Sequence, residues 1–254
     1  MSSFEFKSQN ADGGFPAGGK PGNPSCLNNT CYSIGELIKD ASKEARESLR
    51  KACEWVLSTQ SGEGAFVEPE ELASIPNLPS WVHPGKPTGD MIQLVAYLMR
   101  AGYGNREETK KAVDYLMRHL RNPDGSFKAN YLIWGMIEVL RRMGSPEVSE
   151  PVHEAIKATR QYFQQNMDDI PALAWCIGSL RSAGFSKDHE LVRWTFRLLM
   201  ELRNDDGGWP NEDQKENPDP NRPHLHQGHP RRTSGLWIDL MDPITGPCSF
   251  VMSG

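Results

Sequence analysis

The sequence lacks a long apolar run and any concentration of positive charge. None of its apolar stretches approaches the roughly 18 residues that a membrane-spanning helix requires, so we expect no spanning segment. Lysine and arginine are scattered along a chain of net charge -5, and no basic stripe indicates a nucleic-acid partner. The N-terminal residues lack the basic and apolar regions of a secretory signal, which favours a cytoplasmic protein.

Cysteine is also scarce, and its spacing does not suggest a disulfide framework. The five cysteines are an odd number, at positions 26, 31, 53, 176 and 248. Reduced thiols in a cytoplasmic protein fit this pattern best. Cys26 and Cys31 could contribute to a metal site, but no second pair accompanies them, so the cysteines predict no cofactor.

A short pattern recurs along the chain: a polar turn with glycines, closed by an aromatic residue. The four copies are SQNADGGF (8–15), TQSGEGAF (59–66), LRNPDGSF (120–127) and LRNDDGGW (202–209). The closing aromatics are 51, 61 and 82 residues apart, and the last interval is twice about 41. We therefore expect a fifth, shortened turn in QQNMDDIP (164–171), where aspartates replace the glycines.

Two kinds of helical segment alternate with these turns. Segments before the turns are charged on one side and apolar at i, i+3 and i+4 on the other, and cover 45–60, 106–120, 148–165 and 189–203. Segments after the turns carry less charge, and cover 29–41, 89–101, 129–143, 169–183 and 233–241. The alternation predicts an all-α fold: an α/α toroid (barrel) of about five inner helices ringed by four or five outer helices. No linker interrupts the period, so we predict a single domain over 1–254.

The count of helices leaves the closure of this ring open. With five inner segments and only four complete outer ones, either the tail 242–254 closes the ring or the barrel stays open. An open seam would be covered by a partner, as in a homo-oligomer. Three long loops, 16–28, 67–88 and 210–232, lead from turns into inner helices and so belong at one end of the ring. Binding groups usually gather on such loops.

The fourth inner segment begins with two acids at this same end. Asp168 and Asp169 precede an apolar helix, and Pro171 suits its first turn. Two interpretations are open: the carboxylates cap the helix, or they hold an acid at the mouth of a pocket.

One copy of the turn, Gln60 followed by Gly62, Gly64 and Phe66 after an outer helix, resembles the repeats of terpenoid cyclases and protein prenyltransferases. The resemblance covers nearly the whole chain as a repeat pattern and implies an α/α toroid. Protonation-initiated members such as squalene-hopene cyclase carry Asp-x-Asp-Asp at the start of an inner helix. Asn166-Met167-Asp168-Asp169 stands at the matching place, which implies Asp168 as general acid with Asp169 tuning it. Asn166 departs from the family pattern, and so does Gly235, near which the family has a histidine.

Protonating an alkene requires a strong acid in a dry, aromatic-lined cavity. Trp175, two helical turns after Asp168, and Trp134 could line such a cavity or serve as ordinary core. Asp90, Gln93 and Tyr97 share one side of an inner helix and favour a polar small-molecule substrate if they face inward. We assign these five residues, with Asn130, to substrate binding.

The leading hypothesis is an isomerase or cyclase acting on an isoprenoid-bearing or other unsaturated small molecule, without a cofactor. One alternative is a non-catalytic repeat scaffold that binds a protein partner. Another is a carbohydrate-active, lyase-like toroid. A third is a zinc-dependent transferase, with metal held by His224, His226 and His229 together with Asp219 or Cys248.

Overall fold

The computed structural model describes residues 8–76, 78–204 and 207–209, and in this part of the chain every regular element is a helix, with only isolated bridges between extended residues. The all-α prediction is confirmed. The helices are α1 (Leu27–Leu37), α2 (Lys43–Ser58), α3 (Met91–Arg100), α4 (Glu107–His119), α5 (Trp134–Arg142), α6 (Glu150–Gln165), α7 (Ile170–Ser182) and α8 (Glu190–Glu201). The chain divides into two compact units between Thr159 and Arg160, within α6.

Each of the eight predicted helices that fall on described residues is present, and the ninth, 233–241, lies outside them. The largest difference is at α5, which was predicted from 129 and begins at Trp134. Leu132 has a left-handed φ of 67°, and the backbone N–H of Ile133 turns back to the carbonyl of Asn130. A left-handed residue cannot belong to a right-handed helix, so α5 begins after it.

In the unit formed by residues up to 159, the three less charged helices neighbour one another. The helix α3 contacts both α1 and α5, while α2 lies against α1 and α4 against α3. The less charged helices are also the more buried ones. The helix α3 buries seven of its ten residues, whereas α4 buries only the stripe Thr109, Ala112, Val113 and Leu116. The charged helices are therefore amphipathic and cover the apolar ones.

In the unit from residue 160 onward, α7 lies against α8. The α7 sequence between Ile170 and Arg181 carries no charge, and most of its side chains are buried. The helix α8 is amphipathic and buries Leu191, Val192, Thr195 and Leu199. This unit thus repeats the pairing of one apolar helix with one charged helix.

Three of the less charged helices end at a glycine in the same left-handed conformation. Gly102, Gly144 and Gly184 have φ values of 89°, 88° and 90° after α3, α5 and α7. The residue after each glycine donates its backbone N–H to the carbonyl five residues earlier, as Tyr103 does to Leu98 at 2.8 Å. This is the Schellman arrangement, which satisfies the last carbonyls of the helix.

The first two glycine turns are each tied to the next charged helix by a glutamine. The Nε2 of Gln60 donates to the carbonyl of Gly64 in its own turn at 3.0 Å and to that of Glu108, in α4, at 2.6 Å. Gln9 repeats the arrangement with Gly13 at 2.7 Å and Ser48, in α2, at 2.9 Å. The recurrent turn is therefore a joint between successive helices.

Arginine replaces glutamine in the two later copies of the turn. Arg121 donates to the carbonyl of Gly125, and Arg203 donates to that of Gly207 at 2.8 Å. Each guanidinium also lies over the aromatic ring that closes its turn, Phe127 at 4.6 Å and Trp209 at 5.7 Å. The arginine thus joins the two ends of the turn through a hydrogen bond and a cation–π contact.

Two of the three long loops gather at one end of α1 and α3. The segments 16–26 and 67–88 share a small apolar cluster of Ala17, Cys26, Leu72 and Val82. The third loop, 210–232, lies outside the described residues. No helix in the described part of the chain is long and apolar enough to cross a bilayer.

We expect Gly64→Ala to destabilise the fold far more than substitutions at comparable glycines. Gly64 has φ +101°, and an added Cβ would lie 2.5 Å from the Lys111 carbonyl oxygen of α4. The strained φ and the clash together should lower the free energy of unfolding by about 3 kcal/mol. The measurement is chemical denaturation of each variant.

Two matched glycines serve as controls. Gly125 has φ +86° but open space around an added Cβ, so Gly125→Ala should cost about 1 kcal/mol. Gly62 has neither a positive φ nor a close neighbour, and its alanine variant should stay within about 0.5 kcal/mol of the parent. Equal losses for Gly64 and Gly125 would contradict the close approach of turn and helix.

Candidate functional site

Asp169, one of the two predicted catalytic acids, has a structural role. It is the N-cap of α7, and its Oδ1 accepts the backbone N–H of Ala172 at 3.1 Å. Its Oδ2 accepts the hydroxyl of Tyr162 at 2.8 Å. Burial and this hydrogen bond to the carboxylate both raise the pKa of the Tyr162 phenol. Asp169 therefore joins the end of α6 to the start of α7.

Asp168 lies in the four-residue connection between these helices, and its side chain is exposed. An exposed carboxyl keeps water as its neighbour, whereas a strong general acid needs a dry site. Its role as an alkene-protonating acid stays a prediction that follows from the family resemblance.

The tryptophans and Asn130 have different environments. Trp134 opens α5 with no solvent exposure, and the Tyr131 ring meets it edge-on at 5.5 Å between centroids. Trp175 is half-buried on α7, and Asn130 is exposed. Trp134 belongs to the first compact unit and Trp175 to the second.

Replacing Asp169 by alanine should destabilise the protein by about 1–2 kcal/mol, because a helix cap and the partner of a tyrosine hydroxyl are both lost. Asp168→Ala should change the free energy of unfolding by less than about 0.5 kcal/mol, since that side chain is exposed. Thermal and denaturant unfolding of the two variants measure the difference. Equal costs at both positions would contradict the capping role.

A second group of polar residues lies where α1 and α3 begin. Asp90 immediately precedes α3, yet its carboxylate makes no capping bond to that helix. Instead its Oδ2 accepts the Nδ2–H of Asn28, in the first turn of α1, at 2.7 Å. The two helices are therefore joined at this end by side chains, and we call Asn28, Glu68, Asp90, Gln93 and Tyr97 the polar seam.

Glu68, in a loop distant in sequence, accepts hydrogen bonds from the N-terminus of α1. Its exposure is 2%, and its two oxygens accept the backbone N–H groups of Leu27 at 2.8 Å and Asn28 at 3.3 Å. The Thr88 hydroxyl also donates to it. A buried carboxylate at a helix N-terminus is stabilised by these free N–H groups and by the helix dipole.

Gln93 and Tyr97 follow Asp90 at helical spacing on the same side of α3, and Asp90 and Tyr97 both contact α1. The Tyr97 hydroxyl lies 2.8 Å from where a Cβ on Gly35 of α1 would be, so a side chain at Gly35 would require Tyr97 to move. Gln93 lies between Asp90 and Tyr97 in the sequence of α3 and is 9% exposed. Its Oε1 is buried and has no hydrogen-bond partner among the described residues. An unpaired buried acceptor is destabilising, by about 1–3 kcal/mol.

Burial raises the pKa of three side chains in the seam. Loss of solvent raises the pKa of Asp90, against the opposing hydrogen bond from Asn28. Burial also raises the pKa of Glu68, and the nearby charge of Asp90 adds to that rise. Burial likewise raises the pKa of Tyr97. The seam thus holds two carboxyls that bind protons more tightly than exposed carboxyls do.

The cysteines beside the seam are not organised for metal. Cys26 is the N-cap of α1, where its Sγ accepts the N–H of Asn29 at 3.4 Å, and burial raises its pKa to about 12. Cys31 is fully buried within α1, and burial raises its pKa strongly. In the described ranges, no group of three or more potential ligands could hold a metal ion. The predicted cluster of His224, His226 and His229 lies outside those ranges.

Part of the polar seam could be predicted from the sequence. The helical spacing of Asp90, Gln93 and Tyr97 identified one polar side of α3. Glu68 and Asn28 were missed, because a loop carboxylate 41 residues from Leu27 gives no periodic signal. The motif Asn28-Asn29 at the start of an inner helix was the one available hint.

The stability of the protein should rise relative to Asp90→Asn as the pH falls from 7 towards 4. In the folded protein the pKa of Asp90 is raised above its ordinary value of 3.8. The protonated carboxyl therefore stabilises the fold at low pH, and this stabilisation is lost as the pH rises through the folded pKa. Unfolding free energies of both proteins across this range test the prediction. The exposed Asp114→Asn on α4 is the control, and a constant difference for Asp90→Asn would contradict it.

The sequence matches no known protein-family model. No curated protein matches it either. The resemblance to terpenoid cyclases and prenyltransferases therefore stays a prediction based on the repeats, and the functional proposal rests on the residues of the site.

Proposed function

We propose that this protein is a general-acid enzyme, an isomerase or lyase acting on a small polar molecule, and that Asp90 is the proton donor. The observation that carries the proposal is the Asp90 carboxyl, which stands at the start of an apolar helix without capping it. Asn28 holds one of its oxygens, and burial raises its pKa. A general acid needs both a fixed position and a proton retained towards neutral pH.

The α/α toroid remains our proposal for the whole chain. Its support is the repeated joint of glycine turn and next helix at Gln9 and Gln60. The side-by-side order of α1, α3 and α5, with charged helices against them, is what an inner and an outer layer require. In such a ring the starts of the inner helices share one end, and the seam lies at that end.

Asp90 suits this role better than Asp168 for a physical reason. Desolvation favours the neutral form of a carboxyl, so a desolvated acid holds its proton to a higher pH than an exposed one does. The charge of Asp90 in turn raises the pKa of Glu68, the second carboxyl of the seam. Asn28, which donates to Oδ2, would orient the carboxyl and leave Oδ1 to meet the substrate.

The polar lining indicates the substrate class. Gln93 has an unpaired buried side-chain oxygen one helical turn after Asp90 on α3. A ligand N–H or O–H group would donate the hydrogen bond that this oxygen lacks. A long hydrocarbon cannot make that bond and would leave the acceptor unpaired. We therefore favour an unsaturated molecule that carries a hydroxyl or amide group over a polyene.

The reaction we propose for an isomerase begins with proton transfer from Asp90 to one carbon of a double bond. The resulting carboxylate takes a proton from the neighbouring carbon, so the proton count is restored and the double bond moves. In a lyase, Asp90 protonates the leaving oxygen as its bond to carbon breaks, and the carboxylate takes a proton from the adjacent carbon. Run in reverse, the lyase step also places a proton on carbon. Neither course requires a metal or a redox partner.

An assay in D2O tests the proposal on a panel of compounds. Proton transfer to carbon leaves a non-exchangeable deuterium, so a processed molecule gains one mass unit or more. The protein is incubated with hydroxylated isoprenoids, unsaturated sugar acids and unsaturated amides. Mass spectrometry should find deuterium in at least one compound, and Asp90→Asn should reduce the rate by about 100-fold or more.

Asp168→Asn is the matched control, because it removes the acid implied by the family resemblance. It should retain the parental rate within about twofold, since its side chain is exposed and outside the seam. Loss of exchange in Asp168→Asn with full activity in Asp90→Asn would reverse the assignment. Retained folding of both variants is checked by circular dichroism.

A non-catalytic scaffold is the second candidate, favoured by Trp81. This side chain is 66% exposed within the segment 67–88. Exposed tryptophans are enriched at the centres of protein interfaces. A scaffold needs no acid, so the deuterium assay would then be silent for the parent protein as well as for its variants.

A further inference from the structure

A surface cavity in the unit from residue 160 onward has no part in the proposed reaction. It has a volume of about 320 Å³ and is lined by Asp188, Glu190, Arg193, Trp194 and Arg197. The last four lie at i, i+3, i+4 and i+7, so they form one side of α8. The buried side of that helix consists of other residues, Leu191, Val192, Thr195 and Leu199. The cavity side is therefore not the packing face.

The Trp194 ring is held in place from α6. Phe163 meets it edge-on, with 6.3 Å between centroids. The guanidinium of Arg160 lies over it at 5.5 Å, and Glu190 fixes that guanidinium at 2.9 Å. The indole is thus oriented before any ligand arrives, which reduces the entropy lost on binding. It remains half-buried and contributes to the cavity wall.

The charges of the cavity leave one positive charge uncompensated. Glu190 is paired with Arg160, whereas Arg193 and Arg197 have no ion pair among the described residues. These two arginines are one turn apart on α8, and Asp188 offsets only one of them. Guanidinium groups bind carboxylates and phosphates through paired hydrogen bonds.

We propose that this cavity binds a small aromatic anion, with its carboxylate or phosphate between Arg193 and Arg197 and its flat body against Trp194. The volume is near the lower end of the roughly 300–1,000 Å³ typical of ligand pockets, and suits one or two fused rings. Asp188 and Glu190 at the start of α8 would repel a polyanion. The site therefore selects a single anionic group attached to an apolar body.

Calorimetric titration of the full chain with three naphthalene probes tests the site. The probes are 2-naphthoate, 2-naphthyl phosphate and the neutral 2-naphthalenemethanol, which share one ring system. At least one anion should bind, and the alcohol should bind about tenfold more weakly, as expected for loss of charge-assisted hydrogen bonds. A preference between the two anions would identify the head group.

Variants of the lining residues complete the test. Arg193→Gln and Arg197→Gln should each weaken binding of the anion by about fivefold or more, and Trp194→Leu should weaken both anions and the alcohol. Lys187→Gln removes a nearby exposed charge that does not line the cavity, and should change the affinity by less than about twofold. Thermal unfolding confirms that each variant is folded.

Three results would overturn the proposal. They are no binding by either anion, equal binding by the alcohol, or unchanged affinity in both arginine variants. Because Asp90 and the seam lie in the other unit, the outcome is independent of the deuterium assay.

Discussion

The close contact between a glycine turn and the next charged helix is the constraint on which the first two repeats depend. In the first two copies a glutamine side chain crosses from the turn to the helix, and the turn glycine approaches the helix backbone so closely that no Cβ fits. At Gly64 the relevant atom is the carbonyl oxygen of Lys111, and at Gly13 it is that of Lys51, 2.7 Å from an added Cβ. The same glutamine bonds and the same glycine approach thus recur between α2 and the turn before it and between α4 and the turn before it. Without this contact the charged helices would have only their apolar stripes to fix their position.

The polar seam shows how the same architecture can support chemistry. Apolar helices that lie side by side bring their N-terminal ends together, and those ends need partners for their free N–H groups. In α1 the partners are Cys26 and the distant Glu68, and in α7 the partner is the local Asp169. Asp90 stands at a similar position and does not cap its helix. This difference between Asp90 and Asp169 is the physical basis for assigning one to chemistry and the other to structure.

Local spacing carried part of the information about the seam. Asp90, Gln93 and Tyr97 were grouped by helical period, and the structure places Asp90 and Tyr97 against α1. The partners of a carboxyl in a loop have no such signature, so Glu68 was missed. The pair Asp168 and Asp169 was prominent in the sequence, yet Asp169 is half-buried and caps α7 while Asp168 is exposed. Period alone does not decide which of two neighbours turns towards the solvent.

The sequence by itself determined the helices, their alternation and their stops. These features follow from apolar periodicity and from glycines that adopt a positive φ, as at Gly102, Gly144 and Gly184, and both are local properties of the chain. The tertiary structure decided which carboxyls lose water, which donors they accept from and which tryptophan borders a cavity. Burial and long-range hydrogen bonds depend on how helices lie against one another, and residues such as Leu27 and Glu68 meet only after the chain has folded.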